Sequence, residues 1–86
     1  MASYSVLITK SAAKELERVP TKDRNRIVTR IAALADNPRP TGAEKLSGED
    51  KYRVRQGNYR ILYEIVDSEL IVTVVRIGDR REVYRR

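Results

Sequence analysis

Arginine is concentrated in the last part of the chain, in a pattern suited to holding phosphate. Residues 51–86 carry nine basic and five acidic residues, and eight of the nine basic residues are arginines. The nine are Lys51, Arg53, Arg55, Arg60, Arg76, Arg80, Arg81, Arg85 and Arg86. Arginine presents a planar fork of N–H donors that binds phosphate through two parallel hydrogen bonds and stacks on nucleobases. Charge alone does not decide between a nucleic-acid ligand and the alternatives, a solvated face or an acidic protein partner, so the positions of the arginines must decide.

The residue types that the chain lacks exclude several kinds of active site. The sequence contains no His and no Cys. Without an imidazole there is no Ser-His-Asp triad and no ribonuclease site built on paired histidines. Zinc sites made of His and Cys are excluded, and so are disulfides. Any acid–base chemistry would fall to Lys, Arg, Tyr, carboxylates, hydroxyls or the backbone.

The size and composition of the chain predict one small domain, residues 1–86. It has 86 residues, a formal net charge of +6 and a hydrophobic content of 41%, which is enough for a compact core of limited size. Residues 1–10 lack the charged start and the long apolar run of a signal peptide. No stretch approaches the roughly 18 apolar residues of a membrane-spanning segment. We therefore expect a protein of the cytoplasm.

The first half of the chain has the pattern of one strand followed by two helices. Apolar alternation over residues 4–9 predicts the strand. Ser11 is the predicted N-cap of a helix over residues 12–19. Thr21 is the predicted N-cap of a longer helix that ends at about Ala35 and carries one apolar stripe.

From residue 51 onward the period of the pattern changes to two, which predicts an antiparallel meander of three strands. The strands cover Lys51–Gln56, Tyr59–Asp67 and Leu70–Ile77. Gly57-Asn58 suits a two-residue hairpin turn of type II′, which takes Gly first. The last strand is apolar on both faces, so we expect it at the centre of the sheet, and Gly78 is expected to end it. The predicted class is α+β with a four-stranded antiparallel sheet.

The two-residue turn fixes the pairing of the first two meander strands. Tyr52, Val54, Ile61 and Tyr63 then form a core face. The opposite face receives Arg53, Arg55 and Arg60, with Lys51 facing Glu64. Arg55 stands directly opposite Arg60, and like charges in that arrangement destabilise a sheet by about 0.2–1 kcal/mol. The three arginines therefore indicate a site for a polyanion, and the alternative is that their long side chains spread into water.

Three segments resemble the RelE/ParE superfamily of bacterial and archaeal toxins. They are Tyr52–Arg55, Gly57–Tyr63 and Ile77–Tyr84. The Tyr-Arg-Ile-Leu-Tyr run and the Gly-x-Arg…Val-Tyr ending are the most recognisable pieces. The leading strand, the helix pair and Lys45–Gly48 also match, so the likeness covers nearly the whole chain. It implies a RelE-like fold, in which two N-terminal helices pack on an antiparallel sheet.

The resemblance implies a toxin of a type II toxin–antitoxin system, specifically a ribosome-dependent endoribonuclease of the RelE type. Such toxins cut mRNA in the ribosomal A site through attack by the ribose 2′-OH, with no metal or cofactor, and an acidic antitoxin restrains them. Arg60 and Arg80 match family arginines that hold the scissile phosphate. Tyr84 matches a tyrosine that stacks on or orients the substrate. Further candidates for RNA binding are Lys51, Arg81 and Arg85.

Arg53 and Arg55 stand where the best-known RelE-type members have lysine. A crowded lysine can lose its proton and act as a base, whereas arginine effectively cannot. The two arginines therefore suit stabilisation of transition-state charge, and Tyr84 or a group of the ribosome or RNA is left as the base. Two alternatives stay open: a ParE-like inhibitor of DNA gyrase without nuclease activity, and a catalytically silent module that binds RNA or an antitoxin.

Overall fold

The computed structural model describes residues 3–46 and 50–79, and along them five strands and two helices follow one another. The elements are β1 (Ser5–Ile8), α1 (Lys10–Glu17), α2 (Thr21–Ala33), β2 (Glu44–Lys45), β3 (Lys51–Gln56), β4 (Tyr59–Val66) and β5 (Ile71–Asp79). A short 3-10 turn, Asp67–Glu69, joins β4 to β5. Over these residues, neither helix has the length and apolar character required to cross a membrane.

All five strands belong to one sheet, in the order β1-β5-β4-β3-β2. The predicted α+β class is confirmed, and β5 lies between β1 and β4, as its two apolar faces predicted. Two features differ from the expectation. The first is the additional edge strand β2, which was not predicted because two residues show no alternation pattern. The second is that β1 pairs with β5 in parallel. Parallel neighbours need a long crossover, which the helices and the β3–β4 hairpin provide.

The predicted register of the β3–β4 hairpin is confirmed along its whole length, including Arg55 opposite Arg60. A positive φ of 61° falls on Gly57 and not on Asn58, which is the sign pattern of a type II′ turn. The prediction that Gly78 ends the last strand is wrong, because Gly78 pairs with Arg60 inside β5. Glycine weakens a strand by lacking a side chain, but its backbone donor and acceptor still complete the ladder.

Both predicted helix caps are wrong by one or two residues. Helix α1 begins at Lys10, and the Thr9 hydroxyl accepts a hydrogen bond from the Ala12 N–H at 3.1 Å. The predicted cap, Ser11, lies inside the helix with its hydroxyl 3.3 Å from that of Thr9. Helix α2 begins at Thr21 itself, with Pro20 at the N-cap position.

The core lies between the two helices and one face of the sheet. Its buried members are Ala12, Val19, Ile27, Ile31, Leu34, Tyr52, Val54, Ile61, Tyr63, Ile65, Val72, Val74 and Ile77. The rings of Tyr52 and Tyr63 stack with centroids 5.9 Å apart. The buried Tyr63 hydroxyl donates a hydrogen bond to the Pro38 carbonyl at 2.7 Å, and burial raises the pKa of Tyr63 to about 12. The tyrosine stack therefore fixes the loop after α2 to the sheet.

A polar network closes the end of the sheet that lies away from the β3–β4 turn. The Arg39 fork donates to both carboxylate oxygens of Asp67, at 3.1 and 2.8 Å. The Tyr4 hydroxyl donates to the same carboxylate at 2.7 Å. The hydrogen bonds from Arg39, and then from Tyr4, hold the pKa of Asp67 at about 2. The network links the start of β1, the loop after α2 and the β4–β5 turn.

Candidate nucleic-acid interface

The candidate interface is the face of the sheet turned away from the helices, on strands β3 and β4. Side chains alternate between the two faces of a strand, so Arg53 and Arg55 of β3 lie on this face while Tyr52 and Val54 point into the core. Arg60 of β4 is directly opposite Arg55, which places their Cβ atoms roughly 4.5–5.5 Å apart. We call Arg53, Arg55 and Arg60 the arginine face. The sequence predicted this grouping, and the structure confirms the placement.

Burial differs sharply within the arginine face. Arg55 is exposed, whereas Arg60 is only 8% exposed. Alternation had placed Arg60 on the outward face, with spreading into water as the alternative to an anion site, and the burial of Arg60 does not fit that alternative for this residue. A guanidinium in such a position has lost most of its contact with water, so its interaction with an incoming anion is less screened than at the surface. The arginine face thus combines one buried guanidinium, Arg60, with one exposed guanidinium, Arg55.

Two acidic residues are interleaved with the cations on this face. Glu44 of β2 is directly opposite Arg53, and their side chains form an ion pair. The Lys51 ammonium and the Glu64 carboxylate lie 4.0 Å apart, as the register predicted. Glu44 was missed by the sequence reasoning, because nothing in the pattern of residues 43–46 reveals a strand of two residues.

The end of β5 is held from the side of α1 by Glu15. Strand β1 stops at Ile8, and the Thr9 N–H makes the last bond to β5, to the Val74 carbonyl at 3.0 Å. Beyond that point the Glu15 carboxylate takes the place of a neighbouring strand. It accepts hydrogen bonds from the Ile77 N–H at 2.8 Å and from the Arg76 Nε at 3.0 Å.

The contact of Glu15 with Ile77 bears on the arginine face through the strand pairing. Ile77 is opposite Ile61, and the next residue, Gly78, is opposite Arg60. The register between β4 and β5 shifts between Leu62 and Tyr63, leaving Val75 without a counterpart. A bulge of this kind weakens the ladder locally. Glu15 therefore supports the strand end at the place where the ladder is weakest.

A cleft of about 480 Å³ lies beside this strand end, lined by Glu15, Arg18, Val19, Tyr59 and residues 76–79. Val19 belongs to the core and Tyr59 packs against it, so the cleft opens on the helix-bearing side and is separate from the arginine face. The remaining predicted site residues, Arg80, Arg81, Tyr84 and Arg85, lie outside the described residues. Their roles stay predictions.

Comparison with known proteins decides the family. The family model described as ParE toxin of type II toxin–antitoxin system, parDE, matches residues 6–84. The chain belongs to the ParE toxin family of the RelE/ParE superfamily. The predicted superfamily is thereby confirmed, and the family to which this chain belongs is a family of toxins.

Individual relatives of this ParE-family chain carry the RelE name. It is 33% identical over 84 residues to "Toxin RelE" of Mycobacterium tuberculosis, covering 95% of this chain and 87% of the relative. It is 28% identical over 87 residues to "mRNA interferase toxin RelE" of Escherichia coli K12, covering 95% and 90%. Among solved structures, the toxin–antitoxin complex RelBE2 of M. tuberculosis matches with a TM-score of 0.82 and 28% identity, over 93% of this chain and 94% of the other. The likeness therefore extends across both the helices and the sheet.

Proposed function

We propose that this protein is an mRNA interferase of the RelE type, which acts in the cytoplasm, binds the ribosome and cuts mRNA in the A site. The observation that carries the proposal is the pairing of Arg55 with Arg60 across two strands, in a chain whose relatives include a protein named mRNA interferase toxin RelE. Two guanidinium groups held side by side supply what a phosphate undergoing attack requires, because its negative charge increases in the transition state.

The proposed step is attack of a ribose 2′-oxygen on the adjacent 3′-phosphorus. The bond from O2′ to phosphorus forms and the bond from phosphorus to the 5′-oxygen breaks, which gives a cyclic phosphate and a 5′-hydroxyl. The 2′-OH proton goes to the base and a proton is delivered to the leaving oxygen. Arg55 and Arg60 bind the non-bridging oxygens, and the charge they stabilise is that of the phosphorane. No metal ion takes part in this scheme.

Arginine does not serve as the base in the scheme, because its guanidinium stays protonated. Tyr84, or a group of the ribosome or RNA, accepts the 2′-OH proton, and Arg80 steadies the leaving oxygen. Arg53 holds a neighbouring phosphate. Lys51, Arg81 and Arg85 add contacts to the RNA backbone.

A cell-free translation reaction, read by primer extension on the mRNA, tests the proposal. The wild type is expected to cut within codons in the A site. Arg55→Ala is expected to lower the cleavage rate by roughly 100-fold to 1,000-fold, the usual effect of removing one transition-state donor. Arg60 is buried, so Arg60→Lys, which keeps the charge and loses the planar fork, is the safer variant there. Arg26→Ala, on the exposed side of α2, removes the same charge elsewhere and should leave cleavage unchanged.

The second candidate is a gyrase inhibitor without nuclease activity, which the ParE name of the matching family model favours. A gyrase–DNA cleavage assay, run beside the translation reaction, separates the two. Intact mRNA together with accumulating gyrase–DNA cleavage complexes would establish the gyrase function and overturn the nuclease.

A cognate antitoxin is the proposed protein partner. Similar solved structures include a RelB–RelE complex from Methanococcus jannaschii with 29% identity and a TM-score of 0.72. This chain also has a surface patch of exposed apolar side chains where Leu7 and Ile8 of the edge strand β1 adjoin Val28 of α2. Exposed apolar patches typically mark protein contacts, and the net charge of +6 favours an acidic partner.

A further inference from the structure

We propose that Glu44 occupies the place of an RNA backbone phosphate on Arg53 in the free protein, and that a phosphate displaces it when RNA binds. The inference rests on the proposed RNA-binding role of the arginine face. It adds a residue, Glu44, that lowers the affinity of that face for RNA and sets how many phosphates it contacts.

The ion pair between Glu44 and Arg53 joins a largely exposed glutamate to a largely buried arginine. The Glu44 Oε1 atom contacts the Arg53 Nη2 atom, and the side chains are 58% and 15% exposed, respectively. Glu44 belongs to a strand of two residues at the edge of the sheet, whereas Arg53 lies within the six-residue β3. Displacement of Glu44 therefore needs only a change in an exposed side chain, and Arg53 keeps its position.

The rest of the face shows where phosphates are expected. Arg55 and Arg60 oppose each other as like charges, so an anion between them relieves their repulsion. Arg53 lies two residues before Arg55 on the same face, at a distance of about 6.7 Å along the strand, from the rise per residue. Successive phosphates of a nucleic-acid strand are separated by a comparable distance. An RNA chain with one phosphate at the Arg55–Arg60 pair would thus bring a neighbouring phosphate to Arg53, where Glu44 now lies.

A phosphate competes well with Glu44 for this guanidinium. Exposed ion pairs are weak, because water and salt screen them and two long side chains must be held still. A phosphate on an arginine forms two parallel charge-assisted hydrogen bonds, and the bound RNA chain is held at other points as well. Removing the Glu44 charge should therefore strengthen RNA binding by roughly 1.5-fold to fivefold, from the loss of the competing pair.

If Glu44 instead served to hold Arg53 in its binding position, the sign of the effect would be the opposite. Glu44→Gln keeps the length of the side chain and one oxygen acceptor but loses the charge. Weaker binding by this variant would show a supporting role, whereas stronger binding shows competition. The sign of the change separates the two roles.

The experiment uses the full chain and a fluorescent single-stranded 2′-O-methyl RNA dodecamer, which cannot be cut by 2′-OH attack. Affinity is measured by anisotropy over a range of salt concentrations. Glu44→Gln is expected to bind roughly 1.5-fold to fivefold more tightly and to steepen the plot of log K against log salt by about 0.7, the value for one more phosphate contact on a single strand. Glu69→Gln, in the turn between β4 and β5, changes the net charge equally and should alter neither the affinity nor the salt dependence.

A double-mutant cycle with Arg53→Gln completes the test. In that background Glu44→Gln should have no effect, because no guanidinium is left to release. An unchanged affinity or salt slope in the single variant Glu44→Gln, or an equal effect in both backgrounds, overturns the inference. Absence of binding by the wild type overturns it as well.

The wild type is assayed in parallel for cleavage in the translation reaction, which separates the two proposals. If mRNA stays intact while Glu44→Gln shows the expected affinity and slope, the nuclease proposal fails and the Glu44 inference holds. If mRNA is cut and Glu44→Gln binds as the wild type does, the reverse applies.

Discussion

Replacement of Glu15 tests whether one carboxylate supports the end of β5 and, through it, the backbone at Arg60. The carboxylate accepts hydrogen bonds from the Ile77 N–H at 2.8 Å and the Arg76 Nε at 3.0 Å. Glu15→Ala removes both acceptors. Glu15→Gln keeps an amide oxygen for the Ile77 N–H and loses the charge that attracts Arg76. The two variants therefore separate the backbone bond from the ion pair.

The expected magnitudes follow from the burial of each partner. A partly buried N–H left without an acceptor destabilises a protein by about 1–3 kcal/mol. The Arg76–Glu15 ion pair has side chains 34% and 25% exposed, so its own contribution is at most about 1 kcal/mol. In a domain of this size each kcal/mol lowers the melting temperature by roughly 4–8 °C. Glu15→Ala loses both contributions, about 1–4 kcal/mol, and should thus melt roughly 4–32 °C lower than the wild type, whereas Glu15→Gln should melt no more than about 8 °C lower.

Thermal unfolding followed by circular dichroism measures the melting temperatures, and amide hydrogen exchange reports on Ile77 itself. Glu15→Ala should speed amide exchange at Ile77 through local opening. Exchange at Ile65, in the core of β4, should still require global unfolding and change only as far as the global stability does. Glu17→Ala is the matched control, since it removes an exposed acid two residues further along α1. Equal melting temperatures for the Ala and Gln variants, or unchanged exchange at Ile77, would refute the proposed support of the strand end.

Two further predictions concern the tyrosine stack and the polar network. Tyr63→Phe leaves the buried Pro38 carbonyl without its donor and should lower stability by about 1–3 kcal/mol, more than Tyr52→Phe does in thermal unfolding; equal losses would contradict this. The pKa of Tyr63 is about 12 in the folded protein against an ordinary 10.0. The stabilisation that the protonated Tyr63 gives the folded state is therefore complete below pH 10 and is lost as the pH rises towards 12. Tyr63→Phe should not show this loss of stability at alkaline pH. The pKa of Asp67 is held at about 2, below its ordinary 3.8. The stabilisation that ionised Asp67 gives the folded state is therefore present above pH 4 and lost as the pH falls towards 2. In Asp67→Asn, the free energy of unfolding measured with urea should change less between pH 4 and pH 2 than in the wild type, and an equal change would contradict the Arg39 contact.

The hairpin that carries the arginine face was predictable because a single local feature specifies it. A two-residue turn with Gly57 first permits only one register, and that register puts every apolar residue of β3 on one face. Arg55 opposite Arg60 followed from turn chemistry and alternation alone. The interior place of β5, between β1 and β4, followed from its two apolar faces, since apolar residues on both faces favour an interior strand.

The features that escaped prediction depend on contacts between residues far apart in the chain. Glu15 and Ile77 are joined only because α1 packs beside β5, and no local pattern encodes that pairing. The two-residue β2 has no period, so Glu44 read as a loop residue. The burial of Arg60 also escaped, because alternation predicts which face a side chain occupies and not how deeply that face is covered.

The two carboxylates that the sequence reasoning missed, Glu15 and Glu44, offset the repulsion among the arginines of the arginine face. Like charges on neighbouring strands push the backbone and side chains apart, and a sheet with a bulge beside the pair resists this poorly. Glu15 compensates on the backbone, since it completes the hydrogen bonding of β5 where β1 has stopped. Glu44 compensates on the side chains, since it neutralises Arg53 until an anion arrives. Glu15 on the backbone and Glu44 on a side chain thus flank the pair formed by Arg55 and Arg60, whose binding of an RNA phosphate is the proposal that the cleavage assay tests.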